Sequence, residues 1–337
     1  MKNKKVNIII LFIALFLVLY FTLKDNFYGV IHELSKVNIL IFLLALLLMM
    51  ISLLVKSVSL KIFISEHKKE FNLKNAFSLT LIGQFLNGIT PFSSGGQPFQ
   101  IYLLKKDGVR ISDSTSSMLK DFIVYQIALI SVGVFAFIYN VLSNSFSKNT
   151  YLNTLILLGF LINIIVLVIL LLISSAKKTG LKISKKIVHF VCNLKFLKSL
   201  KEKEEEIVKS LERFYKTGSE LRKNKKKIII GVFYNIIYLI LMHIVPFVIF
   251  LSLGVKTSLI EVICLSTFVM LIGNFIPVPG ATGGLEYGFM QFFGIIVKDI
   301  PVLSGAMLLW RFVTYFLGMI VGFITLIIKK GTRKKWK

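Results

Sequence analysis

The sequence has little of what metal sites, disulfide-bonded modules and nucleotide-driven enzymes require. Its two cysteines, Cys192 and Cys264, lie far apart and form no CxxC motif, so neither a disulfide nor a metal site is expected. The four histidines are scattered without HExxH spacing, and there is no GxxxxGKS or GxxxxGKT phosphate-binding loop. We therefore expect no metal, no cofactor and no ATP-driven engine within this chain.

Acidic residues are also scarce. There are 16 Asp and Glu against 41 Lys and Arg, which gives a formal net charge of +25. Such an excess can serve nucleic-acid binding, but the positions of the basic residues, given below, fit membrane topology instead and argue against nucleic acid as a partner. In addition, 55% of the residues are hydrophobic and the mean hydropathy is +0.80. Soluble domains are not this apolar, so the composition favours a polytopic membrane protein.

Long apolar runs, by contrast, are abundant, and they are the basis of the fold prediction. Several can cross ~30 Å of hydrocarbon as helices. The predicted spans are 6–23, 38–55, 121–139, 154–174, 228–252 and 302–328. The first run is too long for a signal peptide, and no small-x-small cleavage site follows it, so it is read as a transmembrane helix. The sequence thus predicts an all-α polytopic membrane protein with about six full spans.

Two further apolar segments, 76–104 and 257–297, are interrupted by Pro and Gly. If both are re-entrant hairpins, most Lys and Arg residues fall on one side of the membrane. The basic regions on that side are the N-terminus, 56–75, 105–120, 177–227 and the tail from Lys329. This asymmetry predicts a plasma-membrane protein with both termini in the cytoplasm.

The two interrupted segments also resemble each other. LIGQFLNGITPFSSGGQ spans Leu81 to Gln97, and LIGNFIPVPGATGGLE spans Leu271 to Glu286. Shared Leu and Ile could arise by chance between two apolar segments. A shared amide, proline and Gly-Gly in the same order indicates an internal repeat.

The predicted topology gives the two halves opposite orientations within one membrane domain, 1–337. Repeat one covers about 6–139 and repeat two about 154–328, each with two spans, a hairpin and one span. Inverted repeats of this kind are typical of secondary transporters, whose sites form where interrupted helices meet near the midplane. Packing kinks or turns at the membrane surface are the alternative explanation of the breaks.

The breaks carry groups suited to an anionic headgroup. A half-helix that begins after Gly-Gly presents backbone N–H groups and the positive end of its dipole. The candidate substrate-binding residues here are Thr90, Ser93, Ser94, Gly95, Gly96, Gln97, Thr282, Gly283 and Gly284. Ser and Thr also cap helices routinely, so capping and ligand binding both remain open for the hydroxyl groups.

Glu286 and Arg311 complete the candidate site. Glu286 lies just past the second Gly-Gly, and Arg311 lies about 14 Å into the last predicted span. Ionisable groups at this depth face the bundle interior and usually have a partner, so we expect these two to pair. The pair is interpreted either as part of the binding site or as a structural ion pair that connects the second hairpin to the last span. Lys120 and Asp121 hold the comparable place in the first half, where we expect them at the solvated cytoplasmic edge.

The cytoplasmic insert 177–227 predicts a surface contact of its own. Within 182–197, apolar residues recur at helical spacing among lysines, as in basic amphipathic helices that lie on anionic lipid surfaces. Docking to a partner protein and plain helix packing are the alternatives.

The motifs PFSSGGQPFQIYLLKKDGV and PVPGATGGLE, with the later Trp310-Arg311 pair, resemble the membrane domain of the lysylphosphatidylglycerol synthetase/flippase family of the multiple peptide resistance factor type. The resemblance runs from about Asn38 to Lys330. It implies a membrane domain that moves aminoacylated phosphatidylglycerol between leaflets, which would reduce the negative surface charge that cationic antimicrobial peptides exploit.

The same resemblance leaves the activity open. Full-length members add a soluble domain that transfers lysine from lysyl-tRNA to phosphatidylglycerol, and we expect no catalytic residues for that reaction here. Some members act beside glycosyltransferases or isoprenoid-lipid pathways, so the headgroup, a separate synthetase or glycosyltransferase partner and homo-oligomerisation all stay open. The hypotheses are a phospholipid translocase, a phosphatidylglycerol lysyltransferase or a membrane subunit of one, and a secondary transporter of a small solute.

Overall fold

The computed structural model describes residues 27–90, 95–143, 150–175, 225–273, 276 and 278–334, with isolated positions between 181 and 212. The first predicted span, Ser93, Ser94 and nearly all of the insert 177–227 with its segment 182–197 lie outside the described residues. All regular structure in the described residues is helical. Five continuous helical stretches in this part of the chain, the last of them Ile300–Lys329, are long and apolar enough to cross a membrane. The chain is therefore an all-α polytopic membrane protein, as its composition predicts.

The helices follow the predicted order along the chain. They are α1 Phe27–Ser35, α2 Ile39–Ile64, α3 Leu73–Gly88, α4 Gly96–Lys106, α5 Ile111–Ser143, α6 Thr150–Ser175, α7 Lys225–Ser252, α8 Leu259–Gly273, α9 Gly284–Phe293, α10 Ile300–Arg311 and α11 Leu317–Lys334. A π-helical turn, Phe312–Phe316, joins α10 to α11 without a break. Side-chain caps fix several of the starts. The Asn38 side chain accepts from the backbone of Leu40 and Ile41, and that of Asp299 accepts from Val302.

Both interrupted segments fold as helical hairpins. In the first, α4 returns along α3, and Gln100 Nε2 donates to Leu79 O at 2.9 Å. In the second, α9 returns along α8, with a short 3₁₀ turn, Pro279–Ala281, between them. Gly273 lets Leu285 approach the backbone of α8 closely. The prolines and glycines therefore mark two helix–break–helix units, as the sequence predicts.

Each hairpin packs on the last helix of the other half of the chain. Helix α3 of the first hairpin lies along α11, and α8 of the second hairpin lies against α5. The central helices α2 and α7 run antiparallel along each other. Asn38 N donates to Ser252 O at one end of this pair, and Gly231 lies against Phe63 at the other. Each half of the chain therefore packs its hairpin against the other half.

One end of the bundle is held by charged groups and is called the basic end below. Glu66, which follows α2, accepts from Lys120 at 2.5 Å and from Lys227 at 3.1 Å. Burial alone would raise the pKa of the Glu66 carboxyl. The hydrogen bonds and charges of the two lysines outweigh burial and hold its pKa below the usual range.

The expectation that Lys120 and Asp121 are solvated is wrong. Lys120 is 3% exposed and Asp121 is 9% exposed, and each pairs with an opposite charge from another segment. The helices are also longer than the predicted spans. Helix α2 continues past residue 55 to Ile64, because Lys56 finds partners inside the bundle and does not need water.

The opposite end, where Asn38, Ser252 and Pro301 lie, is closed by aromatic packing. Phe250, Phe289 and Phe293 are fully buried, and the rings of Phe289 and Phe293 lie 4.4 Å apart. Trp310 stacks on Phe289 at 4.9 Å. Around the bundle, the outer faces of α2, α6 and α11 expose rows of Leu and Ile, which is the surface expected of lipid-facing helices.

Candidate functional site

Tyr315, in the π-helical turn, lies between the two breaks. Its hydroxyl donates to Gly88 O, at the end of α3, at 2.8 Å. Its ring lies 4.4 Å from the guanidinium carbon of Arg311. On the side of the second break, Gly280 adopts φ +63°, and a Cβ there would come within 2.2 Å of the Tyr315 ring. Both breaks therefore meet at one tyrosine side chain.

Glu286 and Arg311 form the predicted pair. Arg311 Nε donates to Glu286 Oε1 at 2.7 Å, and the two residues are 5% and 6% exposed, respectively. Arg311 Nη2 also donates to Gly280 O at 3.0 Å. The other oxygen of Glu286 accepts from Gly283 N at 2.7 Å, so Glu286 closes the first turn of α9 as well. The pair thus ties α10 to the second break.

The predicted residues of the first break stabilise the break itself. Thr90 Oγ1 accepts from Gly95 N at 2.8 Å and donates to Leu86 O at 2.7 Å. Asn87 Oδ1 accepts from Gly96 N at 2.8 Å. These bonds satisfy backbone groups that have no water available in an apolar bundle. The N–H groups of Gly95 and Gly96 are therefore occupied within the protein.

The second break is organised in the same way. Thr282 Oγ1 donates to Pro279 O at 2.7 Å and lies 3.4 Å from Arg311 Nη2. Gly284 lies against Ile276, where a Cβ would come within 1.8 Å of the isoleucine side chain. Thr282 and the two glycines hold the turn closed, and an anion-binding role for them stays a prediction.

A cavity of about 460 Å³ lies between the hairpins and the central helices. Two predicted residues, Gln97 and Arg311, line it, while Thr90, both Gly-Gly pairs, Thr282 and Glu286 are not among its lining residues. Its polar walls come from both halves of the chain. They include Lys56, Thr80, Gln84, Asn87, Gln97, Gln100, Asp121, Gln126, Arg311, Thr314, Tyr125, Tyr238 and Tyr315.

Sequence reasoning missed a second charged centre on the cavity wall. Lys56 Nζ lies 2.8 Å from Asp121 Oδ2 and 2.9 Å from Asn235 Oδ1. Ser59 Oγ donates to Asp121 Oδ1 at 2.8 Å. The only sequence signal was a lysine inside the apolar run LLVKSV, which we interpreted as the cytoplasmic end of a span.

Two buried amide side chains at and beside the cavity wall are a further feature that the sequence analysis did not predict. Asn163 of α6 is fully buried, and its Nδ2 donates to Leu271 O of α8 at 3.0 Å. Gln126 of α5, which lines the cavity, lies 3.4 Å from Asn163. A single amide within an apolar helix is the signal that could have found these residues, since a buried amide needs partners.

Two of the residues that line the cavity are also accessible from outside the bundle. Gln97, in the first turn of α4, is both exposed and part of the lining. Val166, near the middle of α6, is half-buried, lines the cavity and lies beside exposed Ile162 and Ile165. Gln97 and Val166 are therefore the lining residues nearest to the outer surface of the bundle.

Among the described residues, no three His, Cys, Asp or Glu are grouped so that they could hold a metal ion. The acids near the cavity are engaged instead: Asp121 pairs with Lys56, and Glu286 pairs with Arg311. The other polar groups on the cavity wall are amides, hydroxyl groups and tyrosines.

Comparison with known proteins agrees with the resemblance carried by the two motifs. The sequence model described as "Lysylphosphatidylglycerol synthase TM region" matches residues 7–322. The chain belongs to this family. The match includes both hairpins, the central helices and every residue that lines the cavity. The chain is also similar to the UPF0104 membrane protein MJ1595 of Methanocaldococcus jannaschii, with 28% identity over 298 residues, which is 87% of this chain and 86% of that protein.

Proposed function

We propose that the protein translocates an anionic or aminoacylated phospholipid, such as lysylphosphatidylglycerol, between the leaflets of the plasma membrane. The observation that carries this proposal is a polar cavity that lies between two helix breaks and holds Arg311 in its wall. By changing the charge of the outer leaflet, such an activity would contribute to resistance to cationic antimicrobial peptides.

The cavity suits a phospholipid headgroup in its charge and its hydrogen-bonding groups. Arg311 uses Nε and Nη2 within the protein, and its Nη1 has no acceptor among the described residues. A guanidinium can donate to phosphate through two nitrogens in a planar fork. Gln84, Asn87 and Thr314 add uncharged hydrogen-bonding groups to the same walls.

Lining residues at the outer surface favour a lipid over a small soluble solute. A phospholipid can place its headgroup among polar walls only if its acyl chains stay in hydrocarbon. Entry near Gln97 and Val166 would permit this, because Val166 lies beside exposed apolar side chains on α6. A soluble solute would need only a path along the bundle axis.

We further propose that the two halves are inverted repeats that work by alternating access. The exchange in which each hairpin packs on the last helix of the other half supports this arrangement. The cavity includes Lys56 and Asp121 on the side of the basic end, while the aromatic cluster of Phe250, Phe289 and Phe293 fills the opposite side. With the basic end in the cytoplasm, this conformation is open to the inner leaflet.

The test is a translocation assay in proteoliposomes. Fluorescent phosphatidylglycerol, lysylphosphatidylglycerol and phosphatidylcholine are each incorporated, and the fraction reaching the outer leaflet is followed by quenching with a membrane-impermeant reductant. We expect faster exchange of an anionic or aminoacylated lipid than in protein-free liposomes. No acceleration for any headgroup would overturn the proposal.

Arg311→Lys sharpens this test. Lysine keeps the charge but loses the planar fork, so we expect translocation to fall at least about tenfold while the protein still folds. Arg110→Lys is the matched control, since Arg110 is largely exposed, pairs with nearby Asp113 and is not among the residues that line the cavity. Equal translocation rates for the two variants would show that the guanidinium group of Arg311 is not part of the substrate site.

A further inference from the structure

Lys56 is the second cation of the cavity, and the protein does not use all of its hydrogen-bonding capacity. An ammonium group has three N–H donors. Two of them meet Asp121 and Asn235 at 2.8 and 2.9 Å. The third has no oxygen acceptor among the residues that the structure describes. The ammonium also lies 5.2 Å from the ring centre of Tyr125, another lining residue.

The partners of Lys56 are held in place independently of it. Ser59 Oγ donates to Asp121 Oδ1 at 2.8 Å. Asn235 Nδ2 donates to Ser59 Oγ and to Gly231 O, both at 2.8 Å. The carboxylate and the amide therefore keep their positions when Lys56 moves on its flexible four-carbon stem. Lys56 is the member of this cluster that can turn toward a ligand.

Lys56 and Arg311 lie at different depths of the same cavity. Helix α2 rises ~12 Å between Lys56 and Ile64 at the basic end. Helix α10 rises ~16 Å between Ile300, at the opposite end, and Arg311. Lys56 is therefore the cation nearer to the basic end, and Arg311 is the deeper one.

We propose that Lys56 forms a second anion subsite, which binds the phosphate group of the headgroup before that phosphate reaches Arg311. The inference rests on the proposed function and extends it, because it assigns the loading step to the Lys56, Asp121 and Asn235 cluster. An incoming phosphate oxygen takes the third N–H of Lys56, and Asp121 remains bound to Ser59 throughout.

Trp310 provides a reporter for this binding step. It lines the cavity next to Arg311 and is one of two tryptophans in the chain, so Trp336→Phe leaves it as the sole tryptophan. The detergent-solubilised protein is titrated with dihexanoyl-phosphatidylglycerol and, in a second arm, with inorganic phosphate. We expect Lys56→Gln to raise the Kd for the short-chain lipid about tenfold or more, as the loss of a charge-assisted hydrogen bond predicts. Lys61→Gln, with the same charge change on the same helix but outside the cavity lining, should leave the Kd unchanged.

The outcomes separate this subsite from the proposed function. An unchanged Kd in Lys56→Gln, or no fluorescence response to the lipid in the parent protein, overturns the subsite. Inorganic phosphate that binds as tightly as the lipid overturns its assignment to a lipid headgroup. Lys56-dependent lipid binding without translocation in proteoliposomes would uphold the subsite and end the proposed function. If Lys56→Gln does not fold, the double variant Lys56→Gln/Asp121→Asn, which leaves the net charge unchanged, is titrated with the lipid in its place.

Discussion

Glu286 and Arg311 are almost completely buried, and this burial sets the consequence of changing either of them. A carboxylate or guanidinium in an apolar bundle is tolerated because the opposite charge lies 2.7 Å away. The same two side chains also satisfy backbone groups of the second break, Gly283 N and Gly280 O. The same contacts therefore stabilise the second hairpin and hold Arg311 in the position from which it is proposed to bind phosphate.

Single and double substitutions separate these two roles. Glu286→Leu or Arg311→Leu alone leaves a buried charge without its partner, so we expect each to destabilise the protein by about 3–5 kcal/mol. The double variant removes both charges and should recover part of the lost thermal stability but not lipid translocation, because Gly283 N and Gly280 O still lose their partners. Melting temperature and translocation are measured for all three. A stable double variant with full translocation would show that the pair is only structural.

Glu66 gives a prediction about pH. Its pKa is lowered in the folded protein, so the unfolded chain binds more protons as the pH falls through that range. The stabilisation by Glu66 is therefore complete above its unfolded pKa of ~4.3 and is lost as the pH falls through the lower folded value. We expect the melting temperature of the parent protein to fall more steeply below about pH 4.5 than that of Glu66→Gln. Glu70→Gln, at an exposed position, should behave like the parent, and identical acid profiles for all three would contradict the assignment.

At the scale of the elements, sequence reasoning found what local signals encode. Pro and Gly-Gly mark the breaks because they cannot continue a helix, and uncharged runs mark the spans. Sequence reasoning missed the pairing of Lys56 with Asp121, because local pattern does not reveal a partner on another helix. Without a known partner, a lysine at the edge of an apolar run is interpreted as the end of a transmembrane span. Sequence reasoning also missed Tyr315, since nothing in the local sequence announces the π-helical turn that carries it.

Gly280 allows a direct test of contact between the two breaks. Gly280→Ala places a methyl group within 2.2 Å of the Tyr315 ring in addition to straining a backbone at φ +63°. Gly254 has a similar φ of +75° with nothing within 4 Å, so Gly254→Ala isolates the backbone strain of ~1 kcal/mol. We expect Gly280→Ala to lower the melting temperature more than Gly254→Ala and to impair translocation, because Tyr315 must leave Gly88. Equal effects of the two changes would mean that the contact at Tyr315 is unimportant.

For the molecule as a whole, the two hairpins and the central helices form one arrangement around the cavity. Charged residues that would be costly in lipid gather on the inner walls, and exposed Leu and Ile cover the outer faces. The same segregation sets the ends apart: lysines cluster around Glu66 at one end, while aromatic rings close the other. The proposed orientation follows from this asymmetry, because basic residues are retained on the cytoplasmic side.

The orientation is tested by cysteine labelling in intact cells. In a Cys192→Ser/Cys264→Ala background, Lys256→Cys lies at an exposed position near the aromatic end, and Glu70→Cys lies at an exposed position near the basic end. We expect an impermeant maleimide to label Lys256→Cys directly and Glu70→Cys only after the cells are permeabilised. Ser219→Cys, in the basic insert, should follow Glu70→Cys. Labelling of Ser219→Cys or Glu70→Cys from outside would contradict the cytoplasmic basic end, and with it the inverted repeats and the loading of lipid from the inner leaflet.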